Sequence, residues 1–161
     1  MAFVSQEDKK RLAPGIKEVL KKYNMKGTIR VADHSKLVVT IKSGELDILG
    51  ASKRAALEDP RYDRSNPYDV EQLNHVLART SHQVNDYWIN DNYSSDQKVV
   101  DFLSELVTAM KGPDYFDESD SMTDYFHCSH YIGINVGSWD KPYECTGEAA
   151  TFEPVQVQEL A

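Results

Sequence analysis

Two β-branched runs separated by only three residues constrain the fold of this chain more than any other feature. Gly27-Thr28-Ile29-Arg30-Val31-Ala32 and Lys36-Leu37-Val38-Val39-Thr40-Ile41-Lys42-Ser43-Gly44 flank the turn-forming Asp33-His34-Ser35. A parallel neighbour needs a crossover of roughly a dozen residues or more, so these two runs pair antiparallel as a hairpin. Alternation along each strand then sends Ile29, Val31, Leu37, Val39 and Ile41 to one face, which must be buried.

The flanking segments read as helices. Ser5, followed by Gln6-Glu7-Asp8, is a helix start with acids in its first turn. Leu12, Ile16, Val19, Leu20 and Tyr23 recur at helical spacing, predicting a helix over about 6–23 that kinks or splits near Pro14. Its outer face is basic (Lys9, Lys10, Arg11, Lys17, Lys21 and Lys22). Residues 50–68 contain Pro60 and Pro67 with few aliphatics and predict a loop. Asp69 is placed to cap a helix through about Ala78, and residues 81–89 fit either helix or a short strand. The best-marked helix has Val99, Val100, Phe102, Leu103, Leu106, Val107 and Met110 on one stripe and ends at Lys111-Gly112-Pro113. Residues 124–129 and 130–137 read as a second hairpin or strand pair. The order predicts an α+β fold, an antiparallel four-stranded sheet built from two hairpins with helices packed on one face. A single domain over 1–147 and a loosely held polar tail over 148–161 complete this reading.

Composition narrows the function classes. No run of about 18 apolar residues exists, so no membrane span is expected, and Met1-Ala2-Phe3-Val4 lacks the basic flank and apolar stretch of a signal peptide. Cys128 and Cys145 are too few for a disulfide framework, so an intracellular protein with reduced thiols is expected. Residues 1–54 hold 12 Lys/Arg against 6 Asp/Glu, whereas residues 55–161 hold 6 against 20, within a net charge of −8. That acidity argues against general binding of nucleic acid or anionic membrane.

Acidity gathers around aromatic rings in Asp114-Tyr115-Phe116-Asp117-Glu118-Ser119-Asp120-Ser121-Met122-Thr123-Asp124-Tyr125-Phe126. Such a segment is either a solvated loop anchored by its rings or a surface that meets a basic partner, and the residues leave both open. It does not supply the alternating ligands, central glycine and terminal Glu of a calcium loop. His127, Cys128 and His130 have no fourth ligand at zinc spacing. No nucleophile elbow, phosphate-binding glycine loop or dinucleotide fingerprint is present, so neither a metal nor a cofactor is expected and no catalytic residue is assigned.

The stretch Phe116–Phe126, followed by Tyr131-Ile132-Gly133-Ile134-Asn135-Val136-Gly137-Ser138-Trp139-Asp140-Lys141-Pro142-Tyr143, resembles small phage proteins and one of the large polyvalent protein-associated domains of phages and conjugative elements. In that family a helix and a Val/Ile hairpin precede an Asp-Met-Thr-Asp-Tyr-like stretch. Residues 50–68 depart from it. The resemblance implies a counter-defence protein in the cytoplasm of an infected bacterium. It would inhibit a CRISPR or restriction-type complex by stoichiometric binding to that complex's basic groove. Asp114, Asp117, Glu118, Asp120 and Asp124 would then stand in for phosphates, with Tyr115, Phe116, Tyr125 and Phe126 as apolar anchors. The basic first helix could also pair with this segment in a second copy, giving a homo-oligomer. The alternative is a small enzyme or sponge for a nucleotide defence signal, with His127, His130, Arg30 and Arg61 in a pocket, or an interaction module of the phage particle or its replication machinery.

Overall fold

The computed structural model describes residues 3–113, 115–116 and 130–158. Helix α1 (Gln6–Lys22) is capped reciprocally by Ser5 and Asp8: the Asp8 N–H donates to Ser5 Oγ and the Ser5 N–H to Asp8 Oδ2, both at 3.0 Å. The helix runs unbroken through Pro14, whose missing N–H leaves one turn without its bond. Burial of Leu12, Ile16 and Leu20 holds it together against α5 (Gln97–Lys111).

The expected hairpin forms from β1 (Met25–Ala32) and β2 (Lys36–Gly44), with Ile29 opposite Val39 and Val31 opposite Leu37. Asp33 and His34 both take positive φ, 52° and 58°, the left-handed pair that matches strand twist in a tight hairpin. A bulge at Lys26/Gly27 brings Gly27 against β2, where an added Cβ would lie 2.6 Å from the Thr40 carbonyl oxygen.

The segment expected as a loop instead begins as helix α2 (Ile48–Glu58), capped by Asp47, whose Oδ1 accepts from the Gly50 N–H at 3.0 Å. Only its first turn (Ile48, Leu49, Ala51) is fully buried, which explains why a charge-alternating sequence hides it. Helix α3 (Pro67–Leu77) is capped by Asn66, not Asp69, with Pro67 in its first turn. The ambiguous stretch resolves into strand β3 (His82–Val84), a 3₁₀ turn (Asp86–Trp88) and the short α4 (Ile89–Asn92). The best-marked helix, α5, ends at Gly112 with φ +74°.

The fold is α+β, but its sheet is mixed and has five strands, correcting the antiparallel four-stranded expectation. Four strands lie in the order β1-β2-β4-β3, and β5 (Glu144–Cys145) pairs with the end of β2. Strand β4 (Tyr131–Val136) runs parallel to β2 and antiparallel to β3. The hairpin leaves the second edge of β2 open. The long helical crossover through α2–α5 then returns the chain to the end at which β2 began, so β4 adds parallel. The expected partner over 124–129 lies outside the described residues.

Register divides the sheet into two faces. Ile29, Val31, Leu37, Val39, Ile41, Ile132, Ile134, Val136, His82 and Val84 share one, and the core forms where α1 and α5 cover it. Thr28, Arg30, Lys36, Val38, Thr40, Tyr131, Gly133, Asn135 and Gln83 share the other. The polar tail is tied down. Ala150 N–H donates to Asp47 Oδ2 at 2.8 Å, and the Asn74 amide accepts from Val155 N–H at 2.7 Å while donating to its carbonyl at 3.0 Å.

Candidate functional site

The crossover helices do not close tightly at the β3 end of the sheet. They leave a cleft of about 760 Å³ lined by Ser52, Ala55 and Ala56 of α2, Asp59, Arg61 and Tyr62 of the following loop, Arg79, His82, Asn85, Trp88 and Tyr93. Each part has a local cause. The Asn85 side chain accepts from the Tyr87 N–H at 3.1 Å and starts the 3₁₀ turn that places Trp88 at the cleft with 56% of its surface exposed. Tyr93 follows α4 and is almost fully buried at 2%. It meets His82, which β3 holds opposite Val136 on the covered sheet face.

His82 Nε2 and the Tyr93 hydroxyl are hydrogen-bonded at 2.6 Å. The other ring nitrogen, Nδ1, is buried and has no hydrogen-bond partner among the described residues. Burial, helped by the positive charges of Arg79 and Lys53, pushes the imidazole down to about 4, so His82 is neutral at pH 7. Burial pushes the Tyr93 phenol well above its usual range, and it keeps its proton. The pair is thus an uncharged polar wall. A phenol that does not ionise is a poor nucleophile, and so weakly basic an imidazole is a poor proton acceptor at neutral pH.

Two arginines face this wall differently. Arg61 donates to both carboxylate oxygens of Asp59, with Nη2 to Oδ2 at 2.7 Å and Nε to Oδ1 at 3.1 Å. Arg79 is exposed and has no ion pair among the described residues. Lys53, half-buried, has an ammonium 5.9 Å from the centre of the Phe152 ring, and burial lowers its pKa. No cluster of three or more His, Cys, Asp or Glu suited to a metal occurs among the described residues.

Among the described residues singled out from the sequence, Tyr115, Phe116, His130 and Arg30 do not line this cleft. Tyr115 is half-buried, its ring edge-to-face with His130 at 5.3 Å and 4.9 Å from the Lys111 ammonium. Phe116 beside it is 41% exposed. Asp114, Asp117, Glu118, Asp120, Asp124, Tyr125 and Phe126 lie outside the described residues, as do His127 and Cys128. His130 is buried, and its Nε2–H donates to the Met110 carbonyl at 2.9 Å, a structural tie between α5 and β4. Arg30 stands exposed on β1, and of the three expected pocket residues that are described (Arg30, Arg61 and His130) only Arg61 reaches the cleft. The sequence gives no signal for His82, Trp88, Arg79 and Tyr93, because they fall on or beside a strand, a turn and a helix too short to show a period.

No helix among the described residues is long and apolar enough to cross a membrane. Comparison of the chain with protein-family models, with curated proteins and with solved structures gives no match.

Proposed function

We propose that this protein binds a small, ring-bearing anion of the nucleotide class in the cleft between α2, β3 and α4, and sequesters it without transforming it. The observation that carries this reading is the cleft of about 760 Å³ itself, whose lining brings the exposed Trp88 together with Arg79, which has no ion pair among the described residues. The cleft volume falls within the range of small-molecule sites. Trp88 offers a face for stacking, and Arg79 offers an uncommitted cation for a phosphate. That Tyr93 keeps its proton and His82 is only weakly basic favours binding over turnover by this pair. The test is calorimetric titration of mononucleotides and cyclic oligonucleotides into the protein. Saturable binding that Trp88→Ala and Arg79→Glu each weaken about tenfold or more supports the cleft. Binding unchanged in both variants, or no binding by any nucleotide, removes it.

A second reading rests on the charge split. Stoichiometric inhibition of a host defence complex through Asp114–Phe126 is supported by the excess of acids after residue 55 and by Tyr115, whose packing on His130 and Lys111 gives that segment a fixed start beside an exposed Phe116. Charge reversal at Asp114 and Asp117 together would abolish capture of such a complex at low salt. Capture undiminished by the reversal would exclude this surface.

A further inference from the structure

The sheet face turned away from α1 and α5 is basic in an acidic protein. Lys26, Thr28, Arg30 and Lys42 are exposed, and Lys36 lays its stem over Gly133. None of Lys26, Arg30, Lys36 and Lys42 has a side-chain hydrogen bond or ion pair among the described residues. By register, no carboxylate stands on this face of β1, β2, β4 or β3. Glu144 of β5, beside Ser43, is the acid at one end. In the middle, directly opposite Lys36, Tyr131 exposes 45% of its surface. Asn135 follows two residues on, opposite Thr40 and Gln83.

We infer that this face binds single-stranded nucleic acid, with Lys26, Arg30, Lys36 and Lys42 on the phosphates, Tyr131 stacked on a base and Asn135 at a base edge. Net charge does not speak against this, since steering depends on the local field and strands β1, β2, β3 and β4 carry no acid. The components are those a sheet needs for a flexible polyanion: cations to follow the backbone, an aromatic ring that any base can cover, and amides able to donate and accept. An acidic protein segment would also use the cations, but the exposed ring standing among them is what a stacked base needs, which favours nucleic acid. The face touches the cleft only at Gln83, and the inference does not rest on the cleft's proposed role.

The test is fluorescence anisotropy with labelled oligo(U) and oligo(dT), a labelled duplex, and labelled polyglutamate, each across a salt series. The expected result is binding of the single strands at low salt, tighter than of the duplex or polyglutamate, and falling as salt rises. Tyr131→Ala should weaken it about tenfold, the worth of one stacked base, with Tyr131→Phe close to the parent. Arg30→Glu should weaken it at least as much, while Lys17→Glu on α1 should leave it within about twofold. Melting temperatures of all variants verify that they fold. Absence of single-strand binding overturns the inference. So does equal loss from Lys17→Glu and Arg30→Glu, which would mean unspecific attraction, and so does polyglutamate binding more tightly than either oligonucleotide.

Discussion

The two faces of the sheet are made by the same strands and differ in almost everything else. One is a continuous apolar surface in which Leu37, Val39, Ile41 and Val136 are completely buried. On the other, Val38 is buried among cations, hydroxyls and amides. The first does the work of stability, since α1 and α5 have their apolar stripes against it. The second contributes little to holding the fold, so its residue choices are free to serve recognition. Strand β2 shows the division within one element: its alternate residues face the core on one side and the basic surface on the other.

The largest effect should come from the covered side. Leu103→Ala on α5 empties a fully buried site and should cost about 2–5 kcal/mol in urea unfolding. Arg30→Glu, on the open face, should stay within about 0.5 kcal/mol. Similar losses from both would erase the distinction drawn between the faces.

His82 sits on the covered face yet titrates, so it should leave a mark on the pH dependence of stability. Its folded pKa of about 4 lies below the ordinary 6.5. The unfolded chain therefore binds the extra proton first as pH falls. Stability should be full above pH 6.5 and decline toward pH 4, by on the order of 3 kcal/mol in total. His82→Phe should flatten that slope, and an unchanged slope would show that the imidazole is not desolvated.

Two glycines sharpen the comparison further. A Cβ at Gly27 meets the Thr40 backbone oxygen at 2.6 Å, whereas one at Gly133 meets the mobile Cε of Lys36 at 2.5 Å. Gly27→Ala should thus cost about 1–3 kcal/mol, and Gly133→Ala less than about 1, as Lys36 swings aside. The reverse order in thermal denaturation would mean that the bulge yields more readily than the open face.

The smallest effect belongs to the rim of the covered side, where Glu105 of α5 accepts hydrogen bonds from Lys22, at 2.6 Å, and from Tyr23. These partners hold its carboxyl below the usual range. Its contribution is present above the ordinary carboxylate value and is lost as pH falls through the lowered one. Glu105→Gln should remove that acid-side decline, readable as converging melting temperatures of parent and variant at low pH.

Much of this was legible in particular residues. The hairpin followed from its short turn, and α5 from a stripe of seven apolar residues and a Lys-Gly-Pro stop. Helix α2 was hidden because only its first turn is buried, so most of its length lacks an apolar stripe. The cleft was hidden because Tyr93 and His82 lie 11 residues apart, on or beside elements too short to declare themselves.

What the sequence by itself determined was therefore local: the β1–β2 pairing, the helices with complete apolar faces, the α+β class and the separation of basic from acidic stretches. These follow from alternation, helical spacing and turn chemistry, all of which act within a few residues. The tertiary structure alone decided that β4 lies parallel to β2, that His82 takes the covered face opposite Val136, and that Tyr131 joins the hairpin's cations on one face. Each of those depends on register between strands far apart in the chain, which is set by how the whole core packs and not by any one segment.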